Sequence, residues 1–123
     1  DSENRLFVHG GFTNMHGPTQ EYFKNNVYWD RTLWEMACGL NPSLSITDNR
    51  YPKRLLLFNE IYIGHSPVTR IGKTIPVNYA NVWNIDTGAA FKGPLSIIEI
   101  HSKEVWQSDP VWELYPNQEG RNK

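Results

Sequence analysis

Hydrophobic positions along this chain fall in short runs that stop at glycine, proline or a polar residue. Residues 6–12 read as a buried strand, followed by a loop at Gly17 and Pro18. Residues 21–26 fit a short helix or an ordered approach segment. The spacing then changes. Trp29, Leu33, Met36, Ala37 and Leu40 recur at helical intervals, which predicts a helix over residues 30–38 with Asp30 as its cap and Gly39 and Pro42 ending it. Residues 41–52 are rich in Asn, Ser and Pro and read as a loop. Residues 53–59 hold Leu55-Leu56-Leu57-Phe58, a run that suits a helical turn or a strand equally. From Ile61 onward the pattern is β, with short strands over residues 61–63, 75–79, 82–85, 95–100 and 104–107. Ser102-Lys103 fits a hairpin turn, and the tail after Pro110 is expected to fray beyond Trp112 and Tyr115. The pattern predicts an α+β fold, mostly β after residue 60, without internal repeats or a second domain.

Three of these strands end alike. Leu6-Phe7-Val8 runs into His9-Gly10-Gly11, Ile61-Tyr62-Ile63 into Gly64-His65-Ser66, and Val82-Trp83-Asn84-Ile85 into Asp86-Thr87-Gly88. Side by side in one sheet, they would bring two histidines and an aspartate to one edge, where open sheets bind ligands. Imidazole there can ligate a metal, and the glycines let a backbone approach a metal or phosphate closely.

Bulk properties narrow the classes. The chain has 123 residues, room for one modest core. Its formal net charge of −1, with acids and bases interspersed, gives no reason to expect nucleic acid or an anionic membrane as partner. No apolar stretch approaches the ~20 residues that span a bilayer. The start, Asp1-Ser2-Glu3-Asn4, is polar and does not read as a signal peptide; a chain that opens so directly into a strand reads as a piece of something longer. The single Cys38 excludes an internal disulfide and fits a reducing, cytoplasmic setting.

Each candidate has two readings. His9 and His65 are either metal ligands aimed by strand ends or hydrogen-bonded structural histidines. His16 reads as a loop residue and His101 as a strand-end surface residue. Arg31, at the start of the predicted helix beside Trp29, can hold a phosphate or carboxylate, or form a surface ion pair with Asp30 or Glu35. Asp86 can ligate a metal, orient a histidine or accept loop amides, and Asp-Thr-Gly favours the turn. Lys92-Gly93-Pro94 reads as a plain turn, and the five tryptophans as packing residues.

Taken in order, Leu6-Phe7-Val8-His9-Gly10-Gly11-Phe12, Tyr28-Trp29-Asp30-Arg31, Tyr62-Ile63-Gly64-His65-Ser66-Pro67-Val68, Asn84-Ile85-Asp86-Thr87-Gly88-Ala89 and Gly93-Pro94-Leu95-Ser96 resemble the carboxyl-terminal half of a calcineurin-like metallophosphoesterase. The nearest branch is that of the bacterial serine/threonine phosphoprotein phosphatases and their diadenosine-tetraphosphatase relatives. The resemblance runs from about residue 5 to residue 100. It implies a β-sandwich flanked by helices, of which residues 1–123 would form the carboxyl-terminal part. It implies that His9 and His65 ligate one metal, that Arg31 binds substrate phosphate, and that Gly10, Gly11, Asp86, Thr87 and Gly88 frame the site. The implied cofactors are two divalent ions (Mn, Fe or Zn), and the implied substrate is a phosphorylated protein or a small phosphoester. The family's GDxHG, GDxxDRG and GNHE motifs are not in this sequence. Two imidazoles cannot hold two metals about 3.5–4 Å apart, so the chain alone is expected to be inactive and to pair with a missing amino-terminal half. A diadenosine polyphosphate hydrolase and a non-catalytic binding or scaffold module that keeps the fold are the alternatives.

Overall fold

The computed structural model describes residues 1–122. The chain divides into two compact units. The first takes Asp1–His65 and Asn78–Trp83; the second takes Ser66–Val77 and the chain from Asn84 onward. Among the described residues no helix is long and apolar enough to cross a membrane. The architecture is mixed α and β, as the pattern predicts.

A four-stranded sheet organises the first unit. Its strands are β1 (Arg5–Phe7), β2 (Glu60–Ile63), β3 (Val77–Tyr79) and β4 (Val82–Asn84), in spatial order β1-β2-β4-β3. β1 and β2 are parallel, with Leu6 opposite Ile61 and Phe7 opposite Tyr62. The expected strand over residues 6–12 is therefore only three residues long, and the backbone turns away at His9. Central β2 explains the continuous run Ile61-Tyr62-Ile63: all three are buried, as a strand covered on both faces requires. β3 and β4 are joined by Ala80-Asn81, with Ala80 at φ 53, and two connecting residues can join only antiparallel neighbours.

Between β1 and β2 lie the short α1 (Asn26–Trp29) and α2 (Thr32–Gly39). The ambiguous run of residues 53–59 resolves into a 3-10 turn, Lys53–Leu57, with Leu55 buried. α2 buries Leu33, Trp34 and Ala37, and with Phe12, Tyr51, Leu55 and the sheet residues Ile61, Tyr62, Ile63 and Val82 these are among the core residues. Trp29, expected on that apolar face, instead lies 69% exposed, because the helix begins after it and the chain is extended at Asp30. The Asp30 side chain is the cap. Its Oδ1 accepts from Thr32 N at 3.1 Å and its Oδ2 from Leu33 N at 3.1 Å, satisfying two of the helix's free donors. Arg54 braces the same corner, donating to the Phe12 carbonyl at 2.7 Å and the Thr32 hydroxyl at 3.1 Å.

Glu21 organises the long loop before α1. It is 4% exposed, and its carboxylate accepts from the Thr13 amide, the Thr13 hydroxyl at 2.8 Å, Asn14 N at 3.2 Å and Asn26 Nδ2 at 3.2 Å. Burial pushes this carboxyl up, but the hydrogen bonds from Thr13, Asn26 and Asn14 more than offset that and hold it below the usual carboxylate range. Glu21→Ala, which orphans those donors, is expected to destabilise by about 2–4 kcal/mol in urea unfolding. A depressed folded pKa means that the unfolded chain takes up the proton first. The Glu21 contribution is thus present above the unfolded value of about 4.3 and lost as pH falls through the folded one. Wild type should lose stability in that acid window by an increment the alanine variant lacks; equal slopes would refute this role.

The second unit holds a two-stranded antiparallel sheet, β5 (Pro94–Ile98) with β6 (Val105–Pro110), followed by α3 (Val111–Leu114). The expected Ser102-Lys103 turn is longer than two residues. The connection spans residues 99–104, closed by Lys103 N donating to the Glu99 carbonyl at 2.8 Å, with Lys103 itself at φ 63.

Candidate metal and phosphate site

The parallel pairing of β1 with β2 is the device that assembles the site. It continues past the strand ends, with Val8 N on the Tyr62 carbonyl at 3.0 Å and Gly64 N on the His9 carbonyl at 2.8 Å. Parallel strands end at the same edge, so His9 and His65 emerge together. Their ring centroids lie 5.1 Å apart at an interplanar angle of 55°. His65 sits in the left-handed region at φ 64, a conformation that costs a residue with a Cβ about 1 kcal/mol and that clusters at functional sites.

Arg31 reaches the same place from the start of α2. Its Nε lies 3.5 Å from His65 Nε2. The alternative ion pairs with Asp30 and Glu35 are not formed among the described residues. Asp30 is committed to capping, which leaves the neighbouring guanidinium to the histidine. Trp29 meets His65 edge-on, with centroids 5.7 Å apart. His9, Trp29 and Arg31 are exposed and His65 is half-buried, so the cluster faces solvent.

The two glycines after His9 have a clear local task. Gly10 N and Gly11 N both point at the Val27 carbonyl, at 2.8 and 3.4 Å. A Cβ on Gly10 would lie 2.8 Å from the Asp30 carbonyl oxygen, and one on Gly11 2.4 Å from Asp30 Oδ2. What approaches these glycines is the Val27–Asp30 backbone of the protein itself. That approach carries Trp29 and Arg31 to the histidines, so the His-Gly-Gly and Trp-Asp-Arg motifs are two halves of one contact.

The donor set can be tested against a metal. A zinc–nitrogen bond of about 2.0–2.1 Å puts an ion roughly 3.2 Å from each ring centre, and two rings on a tetrahedral ion then have centroids about 5 Å apart. The observed 5.1 Å fits one shared ion. Arg31 Nε points its N–H toward Nε2 of His65, and a ring nitrogen must be unprotonated to ligate a metal. Ligation through Nε2 would require Arg31 to turn aside. Among the described residues no group of three or more His, Cys, Asp or Glu could hold a metal ion, so these imidazoles form at most part of a shell.

Asp86, Thr87 and Gly88 lie in the second unit. Asp86 behaves as a turn residue: its Oδ1 accepts from Gly88 N at 3.0 Å, and its carbonyl accepts from Val68 N at 2.9 Å. Thr87 is buried, donating to the Pro94 carbonyl at 2.8 Å and lying 2.5 Å from the Ser96 hydroxyl. Fully buried Asn84, which sequence reasoning passed over, grips the Ser66 carbonyl through Nδ2 at 2.7 Å and Asp86 N through Oδ1 at 3.0 Å. Its signal was available as a lone amide in the apolar run Val82-Trp83-Asn84-Ile85. His16 is an exposed loop residue, and His101 is exposed in the β5–β6 connection with Nδ1 3.2 Å from Glu99 Oε1. No protein-family model matches the chain, and neither the curated proteins nor the solved structures contain a match to it.

Proposed function

We propose that this chain carries part of the site of a metal-dependent phosphatase of the metallophosphoesterase type, hydrolysing phosphate monoesters of the phosphoserine or phosphothreonine kind. In this reading His9 and His65 ligate one divalent ion and Arg31 binds the substrate phosphate; the remaining ligands come from sequence outside residues 1–123. What supports it is one juxtaposition: two imidazoles at a spacing that suits a single ion, with a guanidinium 3.5 Å from one of them and free of carboxylate partners among the described residues. A divalent ion there would supply a Lewis acid and a water of lowered pKa. The chain's own contribution is positional. Strand ends aim the imidazoles, Trp29 walls one side of His65, and Arg31 offers N–H donors in a fork that matches phosphate oxygens and stabilises their charge. A diadenosine polyphosphate hydrolase would use the same three residues. The binding-module reading draws on Tyr22, Phe23 and Trp29, exposed by 86%, 66% and 69%.

Zinc and manganese titrations of the purified chain by calorimetry test the proposal. His9→Asn and His65→Asn should each weaken ion binding at least tenfold, about 1.4 kcal/mol. Arg31→Gln should strengthen it a few-fold, because it removes a positive charge a few ångströms from the ion in a solvated setting. The chain alone should not turn over p-nitrophenyl phosphate with Mn²⁺. Ion binding indifferent to all three substitutions, or turnover by the isolated chain, would overturn the reading.

A further inference from the structure

We propose that the second unit carries a separate anion pocket that takes a small phosphomonoester, with the phosphate between Arg70 and Lys92 and the organic body against Phe91. The pocket lies between the one-turn helix Val68–Ile71 and the loop that leads into β5, and its volume is about 380 Å³. That is within the ~300–1,000 Å³ of small-molecule sites and far more than a bare phosphate fills. Among the described residues Arg70 and Lys92 are its two charged lining residues, and no carboxylate side chain lines it. In a chain whose formal net charge is −1, two cations sharing a cavity without a compensating acid among the described residues are not a consequence of composition. A phosphomonoester dianion matches their combined charge where a carboxylate matches half of it.

Neither cation has an ion pair among the described residues. Lys92 lies over the Trp112 ring, its ammonium 5.7 Å from the centroid, a contact that positions the group and leaves its N–H donors for a ligand. Arg70 is exposed and has no ion pair among the described residues. The wall between them is rigid. Phe91 N and Gly93 N both donate to the Gly88 carbonyl, at 2.8 and 2.9 Å, and Asn122 Nδ2 ties the Phe91 carbonyl at 2.8 Å. The Thr69 hydroxyl adds a neutral donor, and Phe91 supplies the apolar face that a bare oxyanion would not use.

The experiment is a phenyl phosphate titration of the isotope-labelled chain followed by amide chemical shifts, with inorganic phosphate and benzoate in parallel. Saturable shifts at Thr69, Gly93 and Asn122 are expected, with phenyl phosphate at least fivefold tighter than either control and weakened severalfold between ~50 and ~300 mM salt. Arg70→Gln and Lys92→Gln should each lower the affinity at least fivefold, and their unchanged spectra elsewhere report an intact fold. Arg31→Gln should leave these shifts in place, which separates the pocket from the histidine site. The proposal falls if no saturable shift appears at these amides, if the shifts survive the double Arg70→Gln, Lys92→Gln change, or if only residues around His9, Arg31 and His65 respond.

Discussion

Gly93→Ala should disrupt the second unit more than any other single methyl group. A Cβ at this position would lie 1.9 Å from the Thr87 carbonyl oxygen and 2.9 Å from its carbon, and the obstacle is backbone rather than a side chain that can swing aside. Nor can the obstacle retreat. Thr87 is 2% exposed and its hydroxyl is bound to Pro94 and Ser96, while Gly93 N is bound to the Gly88 carbonyl at 2.9 Å. Relief requires opening the 86–94 loop and losing those bonds together. The expected cost is on the order of 3–5 kcal/mol, at the upper end for a single substitution. Amide exchange in β5 and β6 measures it, and protection there should fall by two or more orders of magnitude. Gly39→Ala is the internal control. Nothing lies within 4 Å of a Cβ there, and an alanine at the end of α2 should be neutral or stabilise by up to ~1 kcal/mol. Equal effects of the two changes would contradict the steric account.

Gly10→Ala should strike the candidate site through the backbone. Its Cβ would meet the Asp30 carbonyl oxygen at 2.8 Å, Asp30 N at 3.1 Å and the Tyr28 carbonyl carbon at 3.1 Å. The Val27–Asp30 segment would have to lift away, taking Trp29 and Arg31 with it and straining the cap that Asp30 places on α2. A loss of about 2–4 kcal/mol is expected from overpacking and weakened capping. Gly11→Ala should behave similarly for a different reason: its φ of +155 disfavours a side chain, and the new methyl would push against Asp30 Oδ2 at 2.4 Å. The two variants also separate packing from function. Displacement of Arg31 from His65 Nε2 should tighten zinc binding a few-fold in the folded fraction, as Arg31→Gln does. Zinc affinity that instead falls with Gly10→Ala would mean that the glycines hold His9 in place as well as admitting the Asp30 backbone.

These glycines show how far local pattern reaches. A glycine pair after a strand signals close approach, but it does not say what approaches, and the partner proved to be a segment nearly twenty residues further along the chain. The same holds for Asp30. Its capping role follows from its position before a helical pattern, whereas the consequence for Arg31, left to face a histidine, follows only from the packed corner. Trp29 went the other way. Helical spacing placed it in the core, but the helix starts after it, and 69% of it faces solvent beside His65. Glu21 and Arg54 had no local signal at all, because their partners lie outside any periodic element.

The amino-acid order determined the elements that depend on near neighbours. The buried run of β2, the capped helix α2, the Asp-Thr-Gly turn and the polar connection over residues 41–52 all lie where apolar spacing and turn residues place them. Tertiary structure decided what depends on chain segments meeting. The parallel register of β1 and β2 set two histidines, distant in sequence, 5.1 Å apart. The docking of Val27–Asp30 on Gly10 and Gly11 delivered Arg31 to them, and the loop before β5 placed Lys92 in one cavity with Arg70. The division has one physical cause: hydrophobic period and capping are short-range and written in adjacent residues, whereas a site is made by long-range contacts, whose partners no local pattern names.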